Sequence, residues 1–225
     1  MNEAFFVFQL IVLIFSVIIH EISHGYVAEY LGDPTARIAG RLTLNPAKHL
    51  DLFGSFIVPL FLLLANQPVI GWAKPVPYNP YNLNDPQKGG GLIALAGPAS
   101  NLLVAFILWL CIRFLGVFPI LNSLQTELLV TMFGLIVVLN VTLALFNLLP
   151  IPPFDGSKVL ALILPRKAQL HLDAFWARAW LIIQERWIIF LIIIFVAAQY
   201  IINFIFFFLE PLIKSFVFLF TGISI

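Results

Sequence analysis

What most constrains this chain is an ionisable motif placed where ionisable groups are expensive. Residues 4–19 are almost wholly apolar, and the same run continues into His20-Glu21-Ile22-Ser23-His24. Two histidines four apart share one face of an α-helix, offset by about 40° in azimuth and one turn in height. That spacing lets two neutral imidazoles share one tetrahedral metal ion, with Glu21 beside them to take a proton from water. Ionisable side chains inside an apolar span are rare and mark functional sites. The alternative is a pair of histidines hydrogen-bonded inside a bundle, with Glu21 as their partner. HExxH arises by chance in roughly two chains of this composition per thousand, so the metal reading is preferred.

Composition sets the solvent. With 61% hydrophobic residues, 10% charged residues and a mean hydropathy of +1.03, the chain does not have the make-up of a soluble globular protein. A net charge of +1 without basic runs carries no signature of nucleic-acid binding. The single cysteine, Cys111, excludes an intrachain disulfide and offers no thiolate zinc cluster. The first apolar segment is read as retained rather than as a cleaved signal peptide, because the candidate site lies within it and no positively charged start precedes it.

In chain order, the pattern predicts a first helix over residues 4–31, ending at Gly32-Asp33-Pro34, with more than the ~20 residues needed to span. A polar, basic loop with Arg37, Arg41 and Lys48 follows, with a β-like patch at 37–44. Residues 52–65 are apolar but too short for a confident span and contain Pro59, which suggests a re-entrant element. Residues 71–80, including Trp72, Ala73 and Lys74, carry several prolines. They read as a small β-like edge to which an extended substrate strand could add, or as a plain extended connection.

Further spans are expected at 91–114, 124–149 and 188–209, with an amphipathic interfacial helix at 165–187. The second span opens with small residues that permit close helix approach, and its Asn101 needs a partner at membrane depth. Asn140 and Asn147, seven apart, share a face of the third. Asn101 and Asn140 join Trp72, Ala73 and Lys74 as candidate substrate contacts.

After Asn147 the prolines at 150, 152 and 153 break the helix and deliver Asp155. Irregular backbone at this depth is tolerated where it lines a cavity, which makes Asp155 the candidate third ligand; the other reading is a helix N-cap. His20, His24 and Asp155 can meet only at one depth. Their two helices should therefore run in the same direction, with a single crossing between them and residues 52–65 dipping in and returning. Charge agrees, since Arg37, Arg41, Lys48, Lys74, Lys88, Lys158, Arg166 and Lys167 then share the cytoplasmic side. The expectation is an all-α integral membrane bundle of about four to six transmembrane helices with a re-entrant element. It forms a single domain over 1–225, with a catalytic core at about 4–165 and C-terminal helices at about 166–225.

The chain resembles the site-2 protease family of intramembrane zinc metalloproteases. The resemblance rests on His20-Glu21-Ile22-Ser23-His24, Gly97-Pro98-Ala99-Ser100-Asn101 and Asn147-Leu148-Leu149-Pro150-Ile151-Pro152-Pro153-Phe154-Asp155-Gly156. Residues 71–80 look like the compact bacterial and archaeal branch, and neither a PDZ module nor a CBS pair is recognisable. The resemblance implies one zinc ion per chain on His20, His24 and Asp155, with Glu21 as catalytic base and Asn147 orienting the substrate carbonyl. It also implies a membrane-protein substrate with an unwound transmembrane segment, cut by a multi-pass protein of a prokaryotic inner membrane with its site toward the cytoplasm. A zinc transporter would need a polar path across the bilayer that these residues do not supply. A catalytically inactive scaffold is disfavoured by the intact Glu21 and ligand set.

Overall fold

The computed structural model describes residues 3–57, 60–61, 73–117, 123–185, 207 and 211. Helix α1 (Glu3–Tyr30) ends where the sequence predicts. Leu31 and Gly32 donate back to the carbonyls of its last turn, and Gly32 takes a φ of +105° that a residue with a side chain rarely adopts. A single turn, α2 (Thr35–Ile38), follows. Then come the long α3 (Pro86–Val117), α4 (Ser123–Asn147), the short α5 (Asp155–Ile163) and the amphipathic α6 (Arg166–Glu185).

Three stretches, Val7–Tyr30, Pro86–Leu115 and Leu124–Asn147, are long and apolar enough to cross a membrane. Helix α3 is the hub and packs along α1, α4 and α5. Ala105 and Ile112 interlock with Val137 and Val141 of α4 in one fully desolvated seam, and Ala28 meets Ile93 and Leu83 in another. The outer faces stay apolar and open, with Leu10, Ile11 and Ile14 on α1 and Leu103, Ile107 and Phe114 on α3 exposed. Such a surface is a liability in water and is solvated in a bilayer.

Polar pairings fix the helix directions. Ser16, His20 and His24 meet α3 at Asn101, Asn101 and Ile93 in turn, so α3 runs against α1. Ser16 also meets Asn140, and Asp155, just beyond α4, reaches His20 and His24. Helices α1 and α4 therefore run the same way, as the depth argument requires.

No strand forms among the described residues. The expected β-like patch at 37–44 is α2 and a tight turn in which Arg41 N–H donates to the Ala36 carbonyl and Gly40 sits at φ +63°. Residues 73–79 are extended but pair with no strand. Pro75 and Pro77 have no N–H to offer, and the Lys74 N–H goes to the His49 carbonyl. Of the expected re-entrant element, Phe53–Ile57 forms a π-helical turn, with Asp51 accepting the Gly54 N–H. Most of the rest lies outside the described residues, as do Trp72, residues 214–225 and all but Phe207 of the span expected at 188–209.

Asp33, fully buried where α1 exits, ties these pieces together. One carboxylate oxygen accepts from the Thr35 N–H and hydroxyl and from Asn82 Nδ2; the other accepts the Asn79 N–H at 2.6 Å. Burial alone would raise its pKa, but these bonds from Thr35, Asn79 and Asn82 outweigh it and hold the carboxyl below its usual range. A depressed folded-state pKa means that the contribution is complete above the unfolded value of about 3.9 and is lost as pH falls through the folded one. Asp33→Ala is expected to cost about 3 kcal/mol at neutral pH, because several donors lose their acceptor together. Thermal melts of the purified protein at pH 7 and pH 3 check this: the gap between wild type and variant should narrow at the lower pH.

Candidate metal centre

Helix α4 stops at Asn147, the chain turns through the proline-rich segment, and α5 restarts at Asp155. The break is compact. Phe146 and Phe154 pack edge to face with centroids 4.6 Å apart, and a Cβ on Gly156 would fall against the carbonyls of Leu148 and Leu149. Phe154, not Asp155, occupies the N-cap position, and no side chain caps the helix. Of the two roles open to Asp155 from sequence, the carboxylate is thus free of capping and turns to the histidines. Its Oδ2 lies 3.0 Å from His20 Nε2 and 3.3 Å from His24 Nε2.

The far nitrogens decide what those contacts mean. His20 Nδ1 lies 2.7 Å from Asn101 Oδ1, and His24 Nδ1 lies 2.6 Å from the Ile93 carbonyl. Both partners are oxygens that accept, so each Nδ1 donates and each ring presents its Nε2 to Asp155. Two imidazole nitrogens and a carboxylate oxygen therefore converge on one point. Ligands about 2.0–2.1 Å from a tetrahedral zinc stand about 3.3 Å apart, so the donor set fits the ion in both chemistry and spacing.

The supporting residues lie behind the rings. Asn101, fully buried, donates through Nδ2 to Asn140 Oδ1 at 2.9 Å and to the Ser16 carbonyl at 3.3 Å. Asn140, also fully buried, donates to Ser16 Oγ and to the Ile136 carbonyl. This corrects the expectation that Asn101 and Asn140 touch substrate: both amides are spent inside the seam of α1, α3 and α4, and their effect is to orient His20. Gly97 explains the small residues of α3, since a Cβ there would stand 2.5 Å from atoms of both imidazoles. Pro98 follows inside the helix and removes a donor from the ladder next to the Ile93 carbonyl that His24 uses.

Glu21 stands apart from this set. A metal-ligating atom from each of His20, Glu21 and His24 lies within 4.8 Å of the others. Yet Glu21 Oε2 accepts the Val76 N–H at 2.9 Å, whereas Asp155 stands at ligand-to-ligand distance from both imidazoles. Two carboxylates thus stand at the histidines, Asp155 against both Nε2 atoms and Glu21 held by the Val76 backbone.

A cavity of about 190 Å³ opens over these groups and is bordered also by Val76, Tyr78, Asn147 and Lys158. Asn147 uses one amide hydrogen on the Leu143 carbonyl, leaving a second donor. Ala73 and Lys74 do not border the cavity; Pro75, Val76 and Tyr78 of the same extended segment do. Sequence reasoning also missed Ser16 and Lys158. Helical spacing could have found both, since Ser16 lies one turn before His20 and Lys158 three residues after Asp155. The Val76 contribution is a backbone N–H and left no sequence signal.

Two histidines and two carboxylates gathered among membrane-spanning helices are the marks of a membrane-embedded zinc metalloprotease. The chain matches the model of peptidase family M50 over residues 8–129 and 121–191. It is 41% identical over 160 residues to YwhC of Bacillus subtilis, covering 70% of this chain and 69% of that protein. It is 30% identical over 142 residues to Rip2 of Mycolicibacterium smegmatis, covering 63% and 51% of the two chains. Zinc metalloprotease MJ0392 of Methanocaldococcus jannaschii is 30% identical over 172 residues, covering 74% and 38%. No solved structure matches the chain. The chain belongs to peptidase family M50 and is an integral membrane protein with zinc as its cofactor.

Two substitutions on α3, with one control on α4, probe the fit of α3 against the rings. Gly97→Ala should force the imidazoles apart and strip zinc from the purified protein, whereas Gly134→Ala, with nothing within 4 Å, should leave it in place. Asn101→Ala should weaken zinc binding by roughly 10–100-fold, the usual cost of losing the partner of a ligating histidine. Zinc content after dialysis against graded chelator measures both.

Proposed function

We propose that the chain hydrolyses a peptide bond in or beside the membrane segment of single-span or membrane-anchored proteins. In this reading His20, His24 and Asp155 hold one zinc ion. The observation that carries it is the convergence of Asp155 Oδ2 on both Nε2 atoms while each Nδ1 is engaged elsewhere. When bound, zinc supplies Lewis acidity that polarises a carbonyl and brings the pKa of water to about 7.

Glu21 then acts as general base, taking a proton from the attacking water and returning it to the leaving amine. The Val76 N–H holds its carboxylate in one orientation across the cavity mouth. Asn147 donates to the substrate carbonyl oxygen as negative charge grows there, and as a neutral donor it adds no charge to the site. A substrate helix has all its backbone groups paired, so the segment must unwind before it can be cut.

The site belongs on the cytoplasmic side of a prokaryotic cell membrane in this proposal. Water must reach it, and the basic residues flanking His24 and Asp155 favour that side. The bundle has four spans, α1, α3, α4 and the apolar run at 188–209, with residues 52–65 dipping in and returning. Cleavage there would release the anchored protein, the step that defines regulated intramembrane proteolysis.

Two substitutions separate metal binding from chemistry. Asp155→Asn should lose zinc and activity together. Glu21→Gln should keep one zinc per chain yet cut a membrane-anchored model substrate about a thousandfold more slowly, the scale of a lost general base. Zinc that is indifferent to Asp155, or cleavage that survives Glu21→Gln, would sink the assignment.

A further inference from the structure

Lys74 and Val76 stand in a Lys-Pro-Val-Pro run, and that run is stiff. A residue before a proline is held to extended backbone, and Pro75 between the two has its φ fixed at about −65°. Whatever places Lys74 therefore also places Val76. Lys74 is held by both of its backbone groups: its N–H donates to the His49 carbonyl at 2.8 Å, and its carbonyl accepts from Arg41 Nη2 at 2.6 Å. Two residues on, the Val76 N–H reaches Glu21 Oε2 at 2.9 Å.

Arg41 comes to this point from the turn after α2, where its own N–H donates to the Ala36 carbonyl and Gly40 takes a φ of +63°. Leu42 beside it and Val76 both press on Gly25, where a Cβ would stand 2.5 and 2.9 Å from their side chains. Gly25 lies one turn past Glu21 on the same face of α1. The turn and the extended segment are thus seated together next to Glu21. A guanidinium is a costly donor for this purpose. Arg41 is buried, no carboxylate pairs with it among the described residues, and its Nε–H has no partner there. Burying a charge without a counter-charge lowers stability, so Arg41 contributes something else. Its charge-assisted bond is about twice as strong as a neutral one, and it holds the Lys74 carbonyl in one direction.

We infer, resting on the reading of Glu21 as general base, that Arg41 is a positioning residue for Glu21. By fixing the Lys74 carbonyl it sets, through the stiff link to Val76, the N–H that orients the Glu21 carboxylate. Arg41 touches neither Glu21 nor the histidines; it acts through two backbone groups. The far end of the segment has its own anchor, because the Asn79 N–H goes to Asp33. Loss of Arg41 should therefore free the Val76 end and leave the Asn79 end in place.

The test uses the zinc-loaded full chain with three readouts: zinc content, residue-resolved amide exchange, and cleavage of a membrane-anchored model substrate. Arg41→Met keeps the stem and removes the charge and the donors, and Arg41→Lys keeps a cationic donor. In Arg41→Met the Val76 amide should exchange roughly tenfold faster, the protection of one hydrogen bond, while the Asn79 amide and the zinc stay as they are. Its kcat should fall roughly 10–100-fold with KM unchanged, the scale of a misplaced catalytic group, and Arg41→Lys should recover most of both losses. In a Glu21→Gln background Arg41→Met should cost no more than about twofold, because groups that act as a unit are not additive. Pro75→Ala, at an exposed position, slackens the link with Arg41 in place. It should speed Val76 exchange as well, which keeps the inference testable if Arg41→Met does not fold. Unchanged Val76 exchange in these variants would overturn it. So would equal losses of kcat in both Glu21 backgrounds, or release of Asn79 and zinc along with Val76, which would make Arg41 a support for the fold. Cleavage that survives Glu21→Gln would end the base reading instead, and Val76 exchange then decides by itself whether Arg41 sets the Glu21 carboxylate.

Discussion

The meeting of one carboxylate oxygen with two imidazoles is the contact around which the architecture is arranged. Asp155 Oδ2 stands 3.0 Å from His20 Nε2 and 3.3 Å from His24 Nε2. In an apolar surround such a cluster persists only when its groups are paired, with one another or around a cation. Each large feature of the fold serves this meeting. The four-residue spacing puts both rings on one face of α1, and the broken end of α4 returns a carboxylate to their depth. Gly97 lets α3 approach closely enough to lock both rings from behind.

The rings would still be free to turn about their side-chain bonds without the buried network around Asn101. That residue accepts from His20, donates to Asn140, and joins α1, α3 and α4 at one point. Interhelical hydrogen bonds within a bilayer contribute only about 0.6–2 kcal/mol each. Their larger effect is geometric. Apolar helix faces in lipid have no strong rotational preference, and a fully paired amide allows only one rotation of α1 relative to α3. Ser16 extends the same logic one turn up α1, where its hydroxyl and its carbonyl each take an amide proton.

How much of this was legible in the sequence depends on which atoms carry the information. The helix ends at Tyr30, Asn147 and Ile163 and the common direction of α1 and α4 follow from hydropathy, prolines and the requirement of one depth. The placement of Asp155 beside both histidines was legible for the same reason, because a carboxylate after a proline break at membrane depth needs polar partners. The roles of Asn101 and Asn140 were not. An asparagine facing substrate and one buried behind a ligand read identically, and their partners lie 81 and 124 residues away. The patch at 37–44 misled because a run of mixed polarity suits a strand as well as a single helical turn. Gly40 and the Arg41 to Ala36 bond settle it as a turn. The Val76 contact was invisible because it is made by the backbone.

That contact separates the two halves of the chemistry. The candidate ligands are fixed by helices packed in the bundle, whereas the carboxylate of Glu21 is held from outside it. Val76 belongs to an extended segment pinned one step earlier, where the Lys74 carbonyl accepts from Arg41 Nη2 at 2.6 Å and the Lys74 N–H donates to the His49 carbonyl at 2.8 Å. Arg41 and His49 are both buried, so this knot is as desolvated as the helix seam. The Glu21 carboxylate is thereby oriented by a loop assembly outside the helix seam. Glu21 follows His20 directly in sequence, yet the two side chains answer to different partners, His20 to Asn101 and Asp155 and Glu21 to the Val76 backbone. Under the proposed function this separation lets the base be positioned independently of the ligands.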